Sequence, residues 1–262
     1  MIGLFSSLLL ALQVSGAIYV GPTTDEHINW AVKESFRGDR VPFCRGYYTS
    51  DRYEENGSGW WTDYPGADHN FLVRLGELTK MRPGVAVVVK LDSPLLMHCP
   101  VLYMTDVGTM LLTGPEVLGL RTYLQKGGLL WVDDFWGTQA WDQWIREIRR
   151  VLPSQRMIDV PSTHPILTMP YVTGEIWQMP TVGLWYGIEG ARNTSERGDD
   201  SSTASLRALV DDVGRLLVLS THNTDIADGW EEDKGEYTEY LNKFSYRAYG
   251  LGFNIFVYAL VQ

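Results

Sequence analysis

Two adjacent carboxylates, Asp133 and Asp134, close the apolar run of the segment Gly127-Gly128-Leu129-Leu130-Trp131-Val132-Asp133-Asp134-Phe135-Trp136-Gly137. The segment reads as a Gly-Gly turn, a short apolar strand and a pair of acids just past it. In an open α/β sheet, ligands bind beyond the carboxyl ends of the strands, so the acids mark where a site belongs. A late imidazole, His222, follows a second apolar run, Arg215-Leu216-Leu217-Val218-Leu219-Ser220, and is itself followed by Asn223 and Asp225. Carboxylates beside His222, Asn223 and Asp225 suit a hard divalent cation or the hydroxyls of a sugar. A close carboxylate pair can also divide acid and base roles through unequal pKa values. The structural alternative is plain: Asp is a favoured helix N-cap, and one of the pair can cap the next helix. Neighbouring residues of a strand point to opposite faces, so both acids reach one pocket only if the strand has already turned.

Other side chains belong to the same expected edge. Trp136, Trp61 and Tyr64 are expected either to wall a groove or simply to fill the core. Asp63 precedes Tyr64-Pro65 and suits a turn or the rim of the pocket. His164, before Pro165, is either a pocket residue or a structural hydrogen-bonding group. Arg45 lies inside a predicted strand, and an arginine buried in a parallel sheet needs a carboxylate partner, for which Asp133 and Asp134 are the candidates. Asp225, Asp228, Glu231, Glu232 and Asp233 form an acidic cluster that reads as a solvated loop, with calcium binding as the alternative, although the segment lacks the loop pattern of an EF-hand.

The elements that must position these groups alternate between strand and helix. Strands are predicted at Val41–Tyr48, Val85–Leu91, Val101–Thr105, Leu129–Val132 and Arg215–Ser220, and another at Thr181–Ile188. Asp68 is expected to cap a helix over 69–80, with Phe71, Leu72, Leu75 and Leu78 at helical spacing. Thr113 caps a helix through Gln125, with Pro115 in its first turn, Glu116 completing a capping box and Gly127 stopping it. Further helices are expected over 27–36, 138–150 and Tyr237–Leu260, the last weakened by Gly250 and Gly252. Residues 49–66, Pro153–Pro180 and Asn193–Ser205 read as loops. The alternation predicts a three-layer α/β/α fold around a mostly parallel sheet.

The chain has 262 residues, enough for a core that needs no metal or disulfide staple. Its net charge of -10 repels phosphate backbones, which argues against a nucleic-acid partner. Residues 1–17 have the form of a signal peptide, with an apolar run too short for an ordinary membrane span and Ser15-Gly16-Ala17 as a cleavage site. The chain then divides into this leader, a lead-in segment over 18–40 and one domain over 41–262. The expected location is periplasmic or extracellular, with no transmembrane span in the mature chain. An exported chain with two cysteines, Cys44 and Cys99, either pairs them or buries them as free thiols. Pairing would stabilise by roughly 4 kcal/mol through loop closure.

Several segments together resemble one bacterial family, the domain of unknown function 4159 (DUF4159). They are Phe43-Cys44-Arg45-Gly46, Trp61-Thr62-Asp63-Tyr64-Pro65 with Ala67-Asp68 and Asn70-Phe71, Leu102-Tyr103-Met104, and Leu120-Arg121-Thr122-Tyr123-Leu124 before Gly127-Gly128. Asp133-Asp134-Phe135-Trp136-Gly137, His164-Pro165-Ile166, Asn223-Thr224-Asp225 and Trp230-Glu231 complete the set. The resemblance covers about residues 40–260. It implies a flavodoxin-like sheet related to class I glutamine amidotransferases, and relatives that are often exported or membrane-attached. In those amidotransferases a Cys stands on the turn after a central strand. Here Asp133 and Asp134 stand there, Thr138 is the nearest hydroxyl, and only His222 matches the later His.

Without that nucleophile, cysteine-dependent amide hydrolysis is not expected. The leading expectation is a non-catalytic ligand-binding or scaffold module of the cell envelope, for a small molecule, a carbohydrate or an envelope protein. The alternative is a hydrolase using Asp134 and His222, with or without a metal. No organic cofactor is expected; a divalent metal stays open. A hydrolase requires the acids and His222 to converge in an open cleft, whereas a scaffold fills that edge with Trp136 and its neighbours.

Overall fold

The computed structural model describes residues 38–54, 57–187, 192–232 and 237–262. The leader over 1–17, nearly all of the lead-in segment, the helix expected over 27–36, and Asp233 lie outside the described residues. The β-branched and apolar runs form strands where continuous hydrophobicity demands burial on both faces. These are β1 (Arg40–Tyr47), β2 (Arg82–Lys90), β3 (Val101–Thr105) and β4 (Leu129–Asp133), then β5 (Arg156–Asp159), β6 (Ser205–Val210) and β7 (Leu216–His222). Among the described residues they make one seven-stranded sheet in the order β2-β1-β3-β4-β7-β6-β5. The first five in that order are parallel, while β6 runs antiparallel to both of its neighbours, β7 and the edge strand β5. The parallel part has the 2-1-3-4-5 order of a doubly wound flavodoxin-like sheet, whose ligand crevice lies where the order reverses, between β1 and β3.

Helices cover both faces. Phe43, Tyr103 and Trp131 point to the face packed by α1 (Gly66–Leu78) and by the carboxyl-terminal helix, here α4 (Tyr246–Val261). Cys44, Leu102 and Leu130 point to the other, against α2 (Gly114–Gln125) and α3 (Gly137–Val151). The capping box of α2 forms as its sequence predicts, with Thr113 Oγ1 accepting from Glu116 N and the Glu116 carboxylate accepting from Thr113 N. On the second face Cys44 and Cys99 are disulfide-bonded across neighbouring β1 and the entry to β3, with Cα atoms 5.9 Å apart. Among the described residues no helix is long and apolar enough to cross a membrane.

Several local expectations change. The strand expected over Thr181–Ile188 gives way, over its described residues, to a helical turn at Val182–Tyr186, which Thr181 caps with its Oγ1 accepting from Leu184 N; Ile188 lies outside the described residues. Asp68 does not cap α1; it lies within the first turn, buried and turned toward β1. The regions read as loops contain β5, most of one helical turn at Pro165–Thr168, and the start of β6, where short strands alternate too briefly to stand out from turns. The pattern over Tyr237–Leu260 divides into a turn, a π-helical segment (Leu241–Ser245) and α4. Gly252 is not a weakness of that helix. A Cβ there would lie 2.5 Å from the Phe71 ring and 2.9 Å from Trp230, so glycine permits the close approach of α4 to the aromatic core.

Candidate functional site

Each central parallel strand sends an acid to its carboxyl end. Asp63 comes from the loop after β1, Asp106 follows β3, Asp133 and Asp134 end β4, and Asp225 and Asp228 follow β7. The inner wall is a set of acids whose oxygens are already taken. Arg45, fully buried on β1, pairs with Asp68 rather than with Asp133 or Asp134: Nε donates to both carboxylate oxygens at 3.0 Å. The register of β1 explains the difference, since Arg45 shares a face with α1 and its guanidinium reaches the first turn of that helix. Arg45 Nη1 also donates to the Thr62 carbonyl at 2.8 Å and so fixes the loop that carries Asp63. Its guanidinium lies 5.1 Å from the Tyr103 ring and 5.7 Å from the Tyr64 ring. Burial pushes the Asp68 carboxyl up, and Arg45 pulls it back.

Asp133 is equally occupied. It accepts from Tyr103 Oη at 2.9 Å, Thr221 Oγ1 at 2.5 Å, Ile226 N at 2.8 Å and Ala227 N at 3.2 Å. It therefore ties β3, β4 and the segment after β7 together. Burial raises it to about 7 against the pull of those donors.

Asp134 behaves differently because it leaves the ladder. Its φ of +50° is left-handed, a conformation that Asp tolerates and that marks strained or functional positions. The strand has thus turned at this residue, and Asp133 and Asp134 serve one side of the sheet edge. One Asp134 oxygen accepts from Trp136 Nε1 at 2.9 Å. Neither acid caps α3. Asn223 Oδ1 accepts from Gly137 N at 2.8 Å, and Asp200 accepts from Thr138 N at 2.8 Å, so the helix start is served from elsewhere.

Asp134, Asp63 and Asp225 bring carboxylate oxygens within 4.8 Å of one another. Asp63, Asp228 and Glu231 form a second such group at the same limit. The segment after β7 is therefore not a solvated loop: Asp225 is 2% and Asp228 5% exposed, held against the buried Trp230. Asp63 Oδ2 and Asp228 Oδ2 are both shielded from solvent, and neither accepts a hydrogen bond among the described residues. Burial raises Asp63, Asp225 and Asp228 well above the ordinary carboxylate range, and their mutual repulsion adds to it. Asp134 is raised to about 6 by burial. On its far side, burial and Asp134 raise Asp106 to about 8 and Glu196 to about 7. A cleft of about 250 Å³ borders this side, lined in part by Arg52, Glu54, Trp136 and Arg197. Arg52 pairs with Glu54 at 3.2 Å.

The structure separates other residues from this pocket. His222 follows the strand alternation that Asp134 abandons, so it faces α3 while Thr221 faces Asp133. Its Nε2 lies 3.1 Å from the Gly137 carbonyl and its ring packs on Phe135 and Trp141. Burial lowers it to about 4, and the charges acting on it are those of Arg207 and Asp200. It does not meet Asp134 in a shared cleft. Asn223 is a latch between α3 and the Thr203 carbonyl, to which it donates at 2.9 Å. His164 begins the turn Pro165–Thr168, accepts from Ile166 N at 3.3 Å and packs on Tyr258 of α4. Trp61 is exposed and meets Trp60 edge to face, and Trp60 also meets Tyr64; Trp136 donates to Asp134 instead of completing one aromatic wall.

Asp228 and Glu231 are the functional candidates that a local reading passes over. The available signal is their position: acids three and six residues after Asp225 follow the carboxyl end of a wholly apolar strand and flank Trp230. In comparison with known proteins, the chain matches the family model of the domain of unknown function DUF4159 over residues 51–260. No curated protein matches the chain.

Proposed function

Because the chain belongs to the DUF4159 family, its function has to be read from its own site, and we propose that this site binds a hard divalent cation such as Mg²⁺, Mn²⁺ or Ca²⁺. The observation that carries the reading is the convergence of Asp63, Asp134 and Asp225 with oxygens within 4.8 Å of one another. Across one ion with metal–oxygen distances of about 2.0–2.6 Å, opposite ligand oxygens stand roughly 4–5 Å apart. An all-oxygen donor set selects hard cations over zinc or copper. Buried carboxylates without a compensating charge are costly, and a cation replaces both the lost water and the missing positive charge.

The protein is then a ligand-binding module, not an amide hydrolase of the cysteine type, since Asp134 occupies the turn after β4. The pairing of Asp134 with His222 as acid and base has no support in their placement. An exported location, with cleavage after Ala17, fits the Cys44–Cys99 bond, which persists in oxidising compartments. Amino-terminal sequencing of the mature protein checks it, and a chain beginning at Met1 in the cytoplasm would refute it.

Calorimetric titration of the metal-free full chain with Mg²⁺, Mn²⁺ and Ca²⁺ tests the cation site. At least one is expected to bind, to raise the unfolding temperature, and to lose at least tenfold in affinity in Asp134→Asn. Absence of heat and of any thermal shift with all three at millimolar concentration sinks the proposal.

A further inference from the structure

We infer that the acidic pocket holds two divalent cations rather than one, with Asp63 as the carboxylate they share. This rests on the reading above that the pocket takes a cation. The first ion lies among Asp63, Asp134 and Asp225, and the second among Asp63, Asp228 and Glu231. Only Asp63 belongs to both groups, and a carboxylate has two oxygens with which to serve two ions. Bridged ions in two-metal sites stand roughly 3.5–4 Å apart, the span a single carboxylate bridges.

Two independent features point to the second ion. Asp228 is 5% exposed, and its Oδ2 accepts no hydrogen bond among the described residues. Asp225 Oδ1, by contrast, accepts from Asp228 N at 3.0 Å, which fixes the turn and aims Asp228 at Asp63. The second feature is charge. Arg45 is hydrogen-bonded to Asp68 and acts on Asp63 and Asp134 only through space, so the five carboxylates Asp63, Asp134, Asp225, Asp228 and Glu231 outnumber the cations beside them. With all five ionised, one dication balances two of those charges and leaves three; a second leaves one. The larger remainder is the costlier one where Asp134, Asp225 and Asp228 are buried.

The local backbone supports a fixed geometry. Asp63 has a φ of +61° and Asp134 a φ of +50°, and Arg45 clamps the Asp63 loop through the Thr62 carbonyl. The two acids are therefore presented by the fold, not gathered by the ion.

Titration of the metal-free full chain with Mn²⁺, followed by electron paramagnetic resonance, decides the matter. Two equivalents are expected, giving the exchange-coupled spectrum of a carboxylate-bridged pair. Asp228→Asn is expected to bind one equivalent and to show the sextet of an isolated ion, and Asp63→Asn to lose the coupling. One equivalent in the unaltered protein, or two without coupling, overturns the shared site and leaves the single-cation reading standing. No bound Mn²⁺, Mg²⁺ or Ca²⁺ overturns both. Circular dichroism of each variant establishes that it is folded, and the measurement on the unaltered protein decides the question without them.

Discussion

Two groups of buried acids lie side by side at the carboxyl edge of the sheet, and they differ in one respect. Asp68 and Asp133 have their oxygens filled by protein donors: an arginine in one case, two hydroxyls and two backbone amides in the other. Among the described residues Asp63 and Asp228 each keep a sealed oxygen with no donor, and with Asp134 and Asp225 they raise one another's affinity for protons. The first group holds elements of the fold together. The second leaves a chemical demand that a ligand can satisfy. Burial alone does not separate structural from functional carboxylates; the state of their lone pairs does.

The largest effect is expected on the satisfied side. Asp68→Ala leaves Arg45 buried without its partner, and breaking a buried pair in this way costs about 3–5 kcal/mol. Urea denaturation of the two proteins measures it, and a loss below about 1 kcal/mol, the scale of an exposed pair, would place Arg45 in contact with water instead. On the unsatisfied side the sign reverses. Asp228→Asn and Asp63→Asn remove a repelling charge at nearly constant volume, so at pH 8 and without divalent cations each is expected to gain on the order of 1 kcal/mol, the typical scale of a single substitution. Both are expected to lose the stabilisation that added Mn²⁺ gives the unaltered protein.

Stability as a function of pH sharpens the same contrast. A carboxyl whose folded pKa stands above its unfolded value binds its proton more tightly in the native state, so the unfolded chain holds fewer protons and stability falls with rising pH. The contribution is fully present below the ordinary carboxylate range of about 4. It is lost as pH climbs through about 6 for Asp134, about 7 for Glu196 and about 8 for Asp106. The metal-free protein is therefore expected to lose stability across this window, and saturating Mn²⁺ to offset the loss more at pH 8 than at pH 5, where protons compete for the same oxygens. Thermal unfolding at a series of pH values, with and without Mn²⁺, reads both slopes; because the lowered pKa of His222 adds stability up to about pH 6.5, it is a metal-free stability that rises from about pH 6.5 to 8 that contradicts the proposed repulsion.

The smallest effect is expected at His222. Because its ring packs on Phe135 and Trp141 beside α3, His222→Gln should leave the Mn²⁺ affinity unchanged within about twofold, well below the 1.4 kcal/mol that a tenfold change represents. A tenfold loss would return the imidazole to the site.

Much of this arrangement is legible along the chain. The apolar runs of β1 to β4 and β7, the capping box at Thr113 and the acids beyond β4 follow from local pattern and place the candidate site at the correct edge. Asp63 and Asp225 are legible as candidates for the same reason. The partner of Arg45 is not, because Asp68 is 23 residues away and reads locally as a helix cap. Asp228 and Glu231 are obscured by their own polarity: a segment with five acids looks solvated until Trp230 is seen to draw it into the core.

What the sequence by itself determined is where strands begin and end, and hence that carboxylates gather at their carboxyl tips. Hydrophobic periodicity and capping chemistry act over a few residues, so they can be read from a few residues. The tertiary structure alone decided which carboxylates are satisfied. That depends on donors brought from distant segments and on left-handed residues such as Asp134, which turns out of the ladder while His222 stays in it. Solvation and charge compensation are properties of surroundings, and no stretch of chain carries its surroundings with it.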